Sequence, residues 1–529
     1  MDSIYRSKPI KFLLFLIIYL FVSFTVHAET LLELYKLAEQ YDPQLKISNT
    51  NRLIVLEKKP QAEALLRPQV NLSAEVNEAW RFKDWMMGNS IENTSAGYNL
   101  SLSYGLYRPT SEIILDQAES QIKEAQVSYE AARQELMMRV ANRYFAVLAA
   151  NDNLKRAQLA KEAFKKQLDQ AQQRFDVGLI AITDVQEAKA GYDSSVAEEI
   201  RAKNELDNTR EALHEITGVY HEILAGLSDD APLLDPEPSN IEVWTKRALE
   251  QNPNLLAVHY SIDVARQEID KQRAALLPTV DVVGVHGYNE VLRGEKVPGS
   301  LSTTNGIGVQ MNYPLYEGGA TRSRIREAQQ RYTQSIELLE QQRRSVERQT
   351  HDAFLNIMSD ISRIQALKQA VVSNQTALEA IKTGFEVGTR TTVDVLLAQS
   401  KLLDAQRDYS NARYNYVLNT LRLKQAVGTL SVEDLNSINE WLTLHKIEIE
   451  NEDSPPSRYQ GKPIVQDFDQ NKDDQLKVDE EELRTSKDSE KKTYSEEKPV
   501  QTSTESEQEP SSPRPSKENK TKKKKRHSK

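Results

Sequence analysis

The 529-residue sequence predicts a mainly α protein that also contributes strands to a transmembrane β-barrel. Three observations predict this fold class. One unit of the chain occurs twice, at a constant offset of 210 residues. Each copy contains a long helical run without proline. Each copy also contains two segments in which apolar and polar residues alternate with the period of two that is typical of β-strands.

The N-terminus predicts a signal peptide over residues 1–28, with cleavage after Ala28. Basic residues precede an apolar segment at 12–24, and Val26, His27 and Ala28 form a small-residue cleavage site. The apolar segment is short for a helix that crosses a bilayer, which needs about 20 residues. The absence of cysteine is compatible with export to an oxidising compartment, and it excludes a diacylated lipoprotein N-terminus.

Composition and motifs exclude several function classes. The formal net charge of −10 is small for this length and is spread along the chain, so we expect no nucleic-acid partner. No Ser-His-Asp, Cys-His or phosphate-loop constellation is visible in the sequence, and its eight histidines are scattered. We therefore expect a protein that is not an enzyme and that requires no cofactor.

The duplication defines the domain organisation. Predicted repeats at 29–220 and 241–430 are joined by an equatorial linker at 221–240 and followed by an equatorial segment at 431–450. The landmarks that return at the common offset are Asp42-Pro43 as Asn252-Pro253, Arg67-Pro68 as Leu277-Pro278, and Gly178, Asp184 and Gly218 as Gly388, Asp394 and Gly428. Independent landmarks in one register indicate two copies of one structural unit.

Each repeat is predicted to contain one strand hairpin, at about 70–82 and 95–107 in the first and at about 279–290 and 302–316 in the second. Their polar faces carry small uncharged side chains. Two soluble hairpins covering a core would give the same alternation, but the rest of the chain offers no globular core. A transmembrane barrel therefore fits better. Because backbone groups in lipid must all be paired, the four strands must close one barrel together with other copies of the chain.

The helical runs predict a long cylinder below this barrel. No proline or glycine occurs from Thr110 to Phe175 or from Thr321 to Lys382, and apolar residues recur at spacings of three and four. A helix of about 65 residues spans on the order of 100 Å. The return arm of each hairpin and the leading helical segment of each repeat are shorter. Stacked end to end they equal one long helix, so each chain supplies four helical columns.

Five segments carry a resemblance to a known family. They are FDVGLIAITDVQEAKAGYD from Phe175, FEVGTRTTVDVL from Phe385, YPLYEGG from Tyr313, QAVVSNQ from Gln369 and NARYNYVLN from Asn411. Over Glu29–Trp441 the chain resembles the TolC family of outer-membrane channels, the outer membrane factors. The resemblance implies a homotrimer with a 12-stranded transmembrane β-barrel continued by a 12-helix periplasmic α-barrel.

The resemblance also implies a function and a location. It implies an exit duct in the cell outer membrane for tripartite drug efflux and type I protein secretion, with the helical tunnel and the C-terminal tail in the periplasm. The implied partners are outer-membrane lipid, a periplasmic adaptor, an inner-membrane pump of the RND, ABC or MFS type, and the exported drugs or proteins. The alternative is a non-conducting trimeric coiled-coil structural protein or adhesin. The period-two strands and the duplication speak against it.

The two hairpin tips, predicted at about 175–185 and 385–395, carry the candidate site residues. By the resemblance, Asp394 lines the pore, and its copies around the axis form a carboxylate ring that favours cations. The residues alone favour a surface aspartate near a helix N-terminus, where its charge suits the helix dipole, and the resemblance reverses that preference. A second aspartate ring of the family falls on Leu397, so we expect weaker cation selectivity or an apolar constriction.

The resemblance implies a gate latch between the tips. Arg390 on the second tip is expected to form charge-assisted hydrogen bonds with Thr183 and Asp184 on the first. A tyrosine that adds to this latch in the family is Phe385 here, so its hydroxyl contact is missing. We therefore expect a gate whose contacts differ in detail from those of the family.

Adaptor docking is the role that the resemblance implies for the turns themselves. The residues concerned are Gly178 and Leu179 on the first tip and Gly388 and Thr389 on the second. Simple turn chemistry at the two glycines is the alternative, because glycine permits a sharp reversal of the chain. The two roles are compatible with each other.

The tail at 451–529 is rich in charged residues, serine and proline, and it is predicted to be mostly disordered. Within it, residues 469–480 resemble an EF-hand calcium loop. The candidate ligands are Asp469, Asn471, Asp473, Gln475 and Glu480. Asp474 replaces the usual turn glycine and Lys477 occupies a ligand position, so a chance match in an acidic tail is the alternative to calcium binding.

Overall fold

The computed structural model describes residues 28–84, 89–221, 223–293 and 301–446. The first half of the chain contains α1 (Leu31–Tyr41), α2 (Pro43–Leu56), α3 (Lys58–Ala64), β1 (Gln69–Asp84), β2 (Asn89–Tyr107), α4 (Pro109–Asp176), α5 (Ile182–Thr217) and β3 (Ala225–Leu227). The second half contains α6 (Ile241–Gln251), α7 (Pro253–Ala274), β4 (Thr279–Arg293), β5 (Leu301–Asn312), α8 (Ala320–Glu386), α9 (Thr392–Val427), α10 (Val432–Asn439) and β6 (Leu442–Lys446). The predicted signal peptide, apart from Ala28, and the predicted tail with its calcium loop lie outside the described residues.

Two very long helices dominate the structure. The helices α4 and α8 contain 68 and 67 residues, and at 1.5 Å per residue each spans roughly 100 Å. Each is followed, after a short turn, by a return helix of 36 residues, α5 or α9. The helix α4 begins one residue after β2, with Pro109 in the first turn, where its missing N–H is not needed. A single uninterrupted helix therefore connects the sheet to the first hairpin tip.

The short leading helices and the return helix lie along the same long helix. Lys59 of α3 forms an ion pair with Glu119 in the first part of α4. Glu199 of α5 forms one with Lys161 in the second part of α4. The leading segment and the return arm thus lie one after the other along α4, which is the end-to-end arrangement expected from their lengths.

Each repeat contains a joint between two helices at its Asp-Pro or Asn-Pro pair. The N–H of Asp42 closes α1 by donating to the Ala38 carbonyl at 2.8 Å, and its Oδ1 accepts the N–H of Leu45 at 2.7 Å to cap α2. Asn252 plays the same two parts between α6 and α7. Because Asp42 is only 1% exposed, its charge needs a partner, and Arg139 of α4 provides two hydrogen bonds at 2.8 and 3.0 Å.

The four long strands form one antiparallel sheet in the order β1-β2-β4-β5. Leu100 of β2 lies opposite Leu72 of β1 and His286 of β4. In the first hairpin, β1 extends beyond its predicted bounds at both ends, and β2 begins earlier than predicted but ends at Tyr107 as predicted. The strand β5 ends at Asn312 rather than at 316, because Pro314 has no N–H to contribute to a ladder.

One face of this sheet is apolar and exposed in a single chain. Its members include Val70, Leu72 and Val76 of β1 and Ile307, Val309 and Met311 of β5. Ile307 is 83% exposed, which is far from the usual position of isoleucine in a folded chain. None of the helices in the part of the chain that the structure describes combines the length and the apolarity needed to cross a membrane.

The largest buried cluster lies at the middle of the helical part. Tyr144 and Phe145 of α4 are buried there with edge-to-face rings 5.4 Å apart, and Phe145 packs on Tyr414 of α9. The Tyr144 hydroxyl donates to the carbonyl of Ala225 in β3, and the Tyr416 hydroxyl bonds the backbone at Leu234. These contacts fasten the belt of β3, β6 and their connecting segments to the long helices.

We predict that Gly428→Ala destabilises the protein more than Gly218→Ala. Both glycines have positive φ, +84° and +72°, so each substitution costs about 1 kcal/mol of backbone strain. At Gly428 an added Cβ would lie 2.5 Å from the Gln251 carbonyl oxygen, whereas at Gly218 the nearest atom is 3.5 Å away on Tyr41. The overlap adds about 2 kcal/mol. Denaturant unfolding of the detergent-solubilised protein measures both values, and equal losses would contradict the crowding at Gly428.

The Asp42–Arg139 pair predicts an acid-dependent loss of stability. Burial alone would raise the pKa of Asp42, but hydrogen bonds from Arg139 and from the Leu45 N–H outweigh it and lower the pKa below the ordinary 3.8. A lowered folded-state pKa contributes stability above that ordinary value, and the contribution disappears as pH falls through the folded-state pKa.

The variant Asp42→Asn therefore lowers the free energy of unfolding by about 2 kcal/mol at pH 7. The difference from the unmodified protein shrinks as pH falls below 3.8. Asp270→Asn is the matched control, since its ion pair with Arg273 is exposed and is worth about 0.5 kcal/mol or less. A difference for Asp42→Asn that did not vary with pH would rule out the ionic contribution. Unfolding curves measured at several pH values provide the test.

Candidate functional site

The first hairpin reverses through a Schellman motif at the end of α4. The N–H of Gly178 donates to the carbonyl of Phe175, and the N–H of Leu179 donates to that of Arg174, both with an N···O distance of 2.8 Å. The φ of Gly178 is +77°, a left-handed conformation that glycine adopts without strain. Leu179 is 73% exposed, so the tip presents an apolar side chain to its surroundings.

The second hairpin reverses in the same way at the end of α8. The N–H of Gly388 donates to the carbonyl of Phe385 at 3.1 Å, and the N–H of Thr389 donates to that of Gly384 at 2.8 Å. The φ of Gly388 is +79°. A Cβ added at Gly388 or Gly178 would meet no atom within 4 Å. The conformation of the turn, rather than crowding, therefore requires glycine at both tips.

The helix after the second tip begins with a capping box formed by Thr391 and Asp394. The N–H and the hydroxyl of Thr391 both donate to Oδ2 of Asp394 at 2.9 Å, and the N–H of Asp394 donates to the Thr391 hydroxyl at 3.2 Å. At the equivalent position of the first repeat Ala181 has no hydroxyl, and α5 begins without a side-chain cap. The aspartates of the two tips, Asp184 and Asp394, thus have different surroundings.

The surroundings of Asp394 favour its ionised form. Hydrogen bonds from the N–H and the hydroxyl of Thr391 lower the pKa of Asp394, and the positive charge of Arg390 acts in the same direction. The side chain is part-exposed at the start of α9. A carboxylate in this state has the charge that a cation-selective ring needs, and the pore-lining role of Asp394 stays a prediction.

Arg390 and Asp184 line one cavity of about 700 Å³ between the two hairpins. The aliphatic part of Arg390 covers Gly384, where an added Cβ would lie 2.8 Å from Cγ of the arginine. Among the hydrogen bonds and ion pairs of the described residues, none joins Arg390 to Thr183 or Asp184. The structure thus places the arginine and the aspartate of the predicted latch on the same cavity, and the latch itself stays a prediction.

A cation–π contact links the hairpins next to this cavity. The guanidinium of Arg174 on α4 lies 4.7 Å from the ring centre of Phe385 on α8. Phe385, which lacks the hydroxyl that a tyrosine would bring to the predicted latch, therefore makes a different contact between the two tips. Sequence reasoning missed it because the partners are far apart along the chain. Leu397, where the family has a second aspartate, also lines the cavity and is exposed.

The candidate metal site does not fall among the described residues. Within the described ranges, no group of three or more His, Cys, Asp or Glu side chains could hold a metal ion. The predicted calcium ligands from Asp469 to Glu480 lie outside those ranges, so calcium binding in the tail stays a prediction. Calorimetry on the full-length protein and on an Asp469→Ala variant would test it.

A four-stranded sheet with an exposed apolar face, continued by long helical hairpins, defines the protomer of a membrane channel with a helical tunnel. The chain belongs to the outer membrane efflux protein family, whose model matches residues 34–219 and 244–429. It is 37% identical to outer membrane protein TolC of Escherichia coli over 79% of this chain and 85% of that protein. It is 39% identical to outer membrane protein TolC of Vibrio cholerae over 80% of this chain and 96% of that protein.

A more distant relative and a solved structure agree with this assignment. The alkaline protease secretion protein AprF of Pseudomonas aeruginosa is 26% identical over 77% of this chain and 86% of its own. The crystal structure of the Campylobacter jejuni CmeC outer membrane channel matches with a TM-score of 0.65 and 18% identity, over 78% of this chain and 90% of that one. This second likeness concerns the fold alone.

These findings confirm the predicted fold class, a channel protomer with a helical tunnel part and a β-barrel part. The protein is an outer membrane efflux channel, located in the outer membrane with its helical tunnel extending into the periplasm. Its family consists of channels rather than enzymes. The non-conducting coiled-coil or adhesin alternative does not agree with this membership.

We predict that Arg174 and Phe385 are energetically coupled. A double-mutant cycle with Arg174→Gln and Phe385→Leu is expected to give a coupling free energy of about 0.5–1 kcal/mol. Hydrogen exchange at the tip amides, which reports the free energy of local opening, is the measurement. Arg174→Lys preserves the positive charge over the ring and serves as the control. A coupling near zero would show that the contact adds nothing to the link between the hairpins.

Proposed function

We propose that the protein is the exit duct of tripartite drug-efflux and type I secretion systems, gated at its periplasmic tip. One observation carries the proposal: a single uninterrupted helix, α4, runs from the apolar-faced sheet to a hairpin tip roughly 100 Å away. A chain with this geometry joins the outer membrane to a point deep in the periplasm. A passage of that length serves transport across the whole envelope rather than diffusion across one membrane.

The proposed assembly is a homotrimer. The sheet of one chain ends at β1 and β5, and its apolar face is exposed. Backbone groups at these two edges have no water to bind once they lie in lipid, so each edge needs a strand from another copy. Three copies supply about twelve strands and twelve helical columns, which is within the size range of closed outer-membrane barrels.

The proposed gate lies where the hairpin tips converge. Asp394 would form the carboxylate ring that favours cations, and Arg390 would latch the second hairpin to Thr183 and Asp184 of the first. The shared cavity and the charge of Arg390 next to Asp394 support this arrangement. With Leu397 in place of a second carboxylate, the constriction is partly apolar.

The proposed partners are a periplasmic adaptor and an inner-membrane pump of the RND, ABC or MFS type. The exposed turns, with Gly178 and Leu179 on one tip and Gly388 and Thr389 on the other, would be the adaptor's docking sites. The relatives support two kinds of cargo, since TolC belongs to the same efflux family and AprF is named for protease secretion. Small drugs and secreted proteins are therefore both proposed as substrates.

A deletion strain tests the proposed function. Loss of the protein is expected to raise susceptibility to several unrelated drugs and to abolish secretion of a type I substrate, and the intact gene is expected to restore both. A variant without the two exposed turns would fold and insert but would not complement. Unchanged susceptibility and secretion in the deletion strain would contradict the role in efflux and secretion.

We predict that Arg390→Ser loosens the closed tip. Each exposed charge-assisted link is worth about 0.2–1 kcal/mol, and its repetition in each subunit adds up. Single-channel conductance in planar bilayers is expected to rise, and Asp184→Asn is expected to raise it as well. Arg331→Ser, which removes an exposed ion pair with Glu327 on α8 that is distant in sequence from the tip, is the control. Unchanged conductance in Arg390→Ser would show that Arg390 does not latch the two hairpins together.

A further inference from the structure

The segment that joins β5 to α8 carries exposed apolar and aromatic side chains. It begins directly after Asn312 and contains Tyr313, Leu315 and Tyr316, of which the last two are 84% and 88% exposed. A cluster of this kind is normally covered by lipid or by a partner. Because the segment continues a strand whose apolar face belongs in the membrane, it lies at the membrane border, where tyrosine is enriched.

Three arginines follow within the first two turns of α8. Arg322, Arg324 and Arg326 are exposed, and no hydrogen bond or ion pair in the described part of the chain involves them. Their Cα atoms lie within about 9 Å of the start of the helix, measured along its axis. Side chains on an α-helix lean toward its N-terminus, and the N-terminus of α8 is its membrane end. The three charges are therefore carried back toward the membrane.

The neighbouring carboxylates do not form ion pairs with these arginines. Glu317 accepts a hydrogen bond from the Thr321 hydroxyl, and Glu327 forms an ion pair with Arg331 at 2.7 Å. The first turn of α8 contains no acidic residue. Residues 313–331 include four arginines and two glutamates, so the net formal charge of this part of the chain is positive. Uncompensated positive charge thus lies next to exposed apolar side chains.

The first repeat provides an internal comparison. At the common offset of 210 residues, Arg322 and Arg326 correspond to Glu112 and Asp116 of α4. The register of the two helices is the same, since the equivalent buried residues are Ser111 and Thr321, and Ala118 and Ala328. Packing at the start of a long helix therefore does not require arginine at these positions. The basic cluster is specific to the second repeat.

We propose that the β5–α8 joint, residues 313–326, binds the headgroup of an anionic glycerophospholipid in the periplasmic leaflet of the outer membrane. The joint lies at this leaflet because the helical tunnel extends from it into the periplasm. The arginines bind the phosphodiester oxygens through charge-assisted hydrogen bonds. Leu315 and Tyr316 contact the region where the headgroups meet the acyl chains. This binding site is separate from the proposed gate and does not depend on it.

The packing of α8 favours lipid over a second copy of the chain as the occupant. The helix packs on α7, and the buried residues near its membrane end include Thr321 and Ala328. At about 100° per residue, Arg322 and Arg326 lie on one flank of this buried stripe and Arg324 lies on the other. A second copy that packs on the side opposite α7 therefore leaves both flanks accessible to lipid.

The test uses the full-length trimer in detergent. Dioleoyl phosphatidylglycerol is the anionic probe, and dioleoyl phosphatidylcholine is the zwitterionic probe with the same acyl chains. Native mass spectrometry counts the bound lipids, and thermal dissociation of the trimer measures the stabilisation. The unmodified protein is expected to bind phosphatidylglycerol at lower concentration than phosphatidylcholine, and salt is expected to weaken this preference.

The arginine variants give the size of the effect. A basic residue near an anionic lipid surface contributes about fivefold in affinity, so Arg322→Gln is expected to raise the half-saturating concentration of phosphatidylglycerol about fivefold. The triple variant with Gln at 322, 324 and 326 is expected to lose the preference over phosphatidylcholine. The triple variant with Lys at the same positions retains the charges and is expected to keep most of the preference.

A charge-matched control lies on the same helix. Gln at Arg343, Arg344 and Arg348 removes three exposed arginines about 30 Å farther from the membrane, and it is expected to leave the lipid preference unchanged. No preference in the unmodified protein would overturn the proposal, as would an equal loss in the control and in the Gln variant at the joint. Equal stabilisation by inorganic phosphate would also overturn it. Dissociation of the joint variant into single chains with unchanged lipid binding would assign the arginines to a contact between copies instead.

Discussion

The hydrogen-bonding demand of backbone groups in lipid is the constraint on which the rest of the structure depends. An unpaired peptide group in hydrocarbon costs several kcal/mol, and the sheet of one chain has two edges, β1 and β5. Closing the sheet with other copies also determines the positions of the helices that follow the strands. Because α4 starts one residue after β2, and α8 follows β5 after a short turn, the barrel sets the position of every long helix below it.

The duplication repeats this arrangement of sheet and long helices, but the two copies differ in detail. Both repeats need a joint where a leading helix changes direction, and both bury a polar side chain there. In the first, Asp42 is compensated by Arg139. In the second, Asn252 is neutral and its Nδ2 donates to the carbonyl of Ala426 at 2.8 Å. A buried polar group needs a partner, but the partner can be ionic or neutral, so the two copies could diverge without losing the joint.

The sequence predicts most of the strands, long helices and turns because these elements depend on local periodicity. The strands follow from period-two alternation, the long helices from the lack of proline and glycine, and the tips from Gly178 and Gly388. The capping box could also be predicted from the sequence, since Thr391 and Asp394 have the spacing of the motif. The Arg174–Phe385 contact could not be predicted from the sequence, because it joins two hairpins whose relative placement depends on the packing of four helices. No local pattern encodes that distance.

The strength of the contacts changes along the molecule, and this gradient bears on the proposed gate. At the belt, the large aromatic side chains of Tyr144 and Phe145 are buried, the Tyr144 hydroxyl is hydrogen-bonded, and the two rings are in edge-to-face contact. At the tips, each hairpin has a small apolar cluster of its own, and the described contact between the hairpins is one cation–π pair beside a cavity. Such pairs are worth about 1 kcal/mol, whereas each buried aromatic contributes several times more. Small free energies therefore suffice to separate the tips while the belt and the sheet stay intact. A docked partner that gains a few weak contacts on the exposed turns can supply free energies of that size.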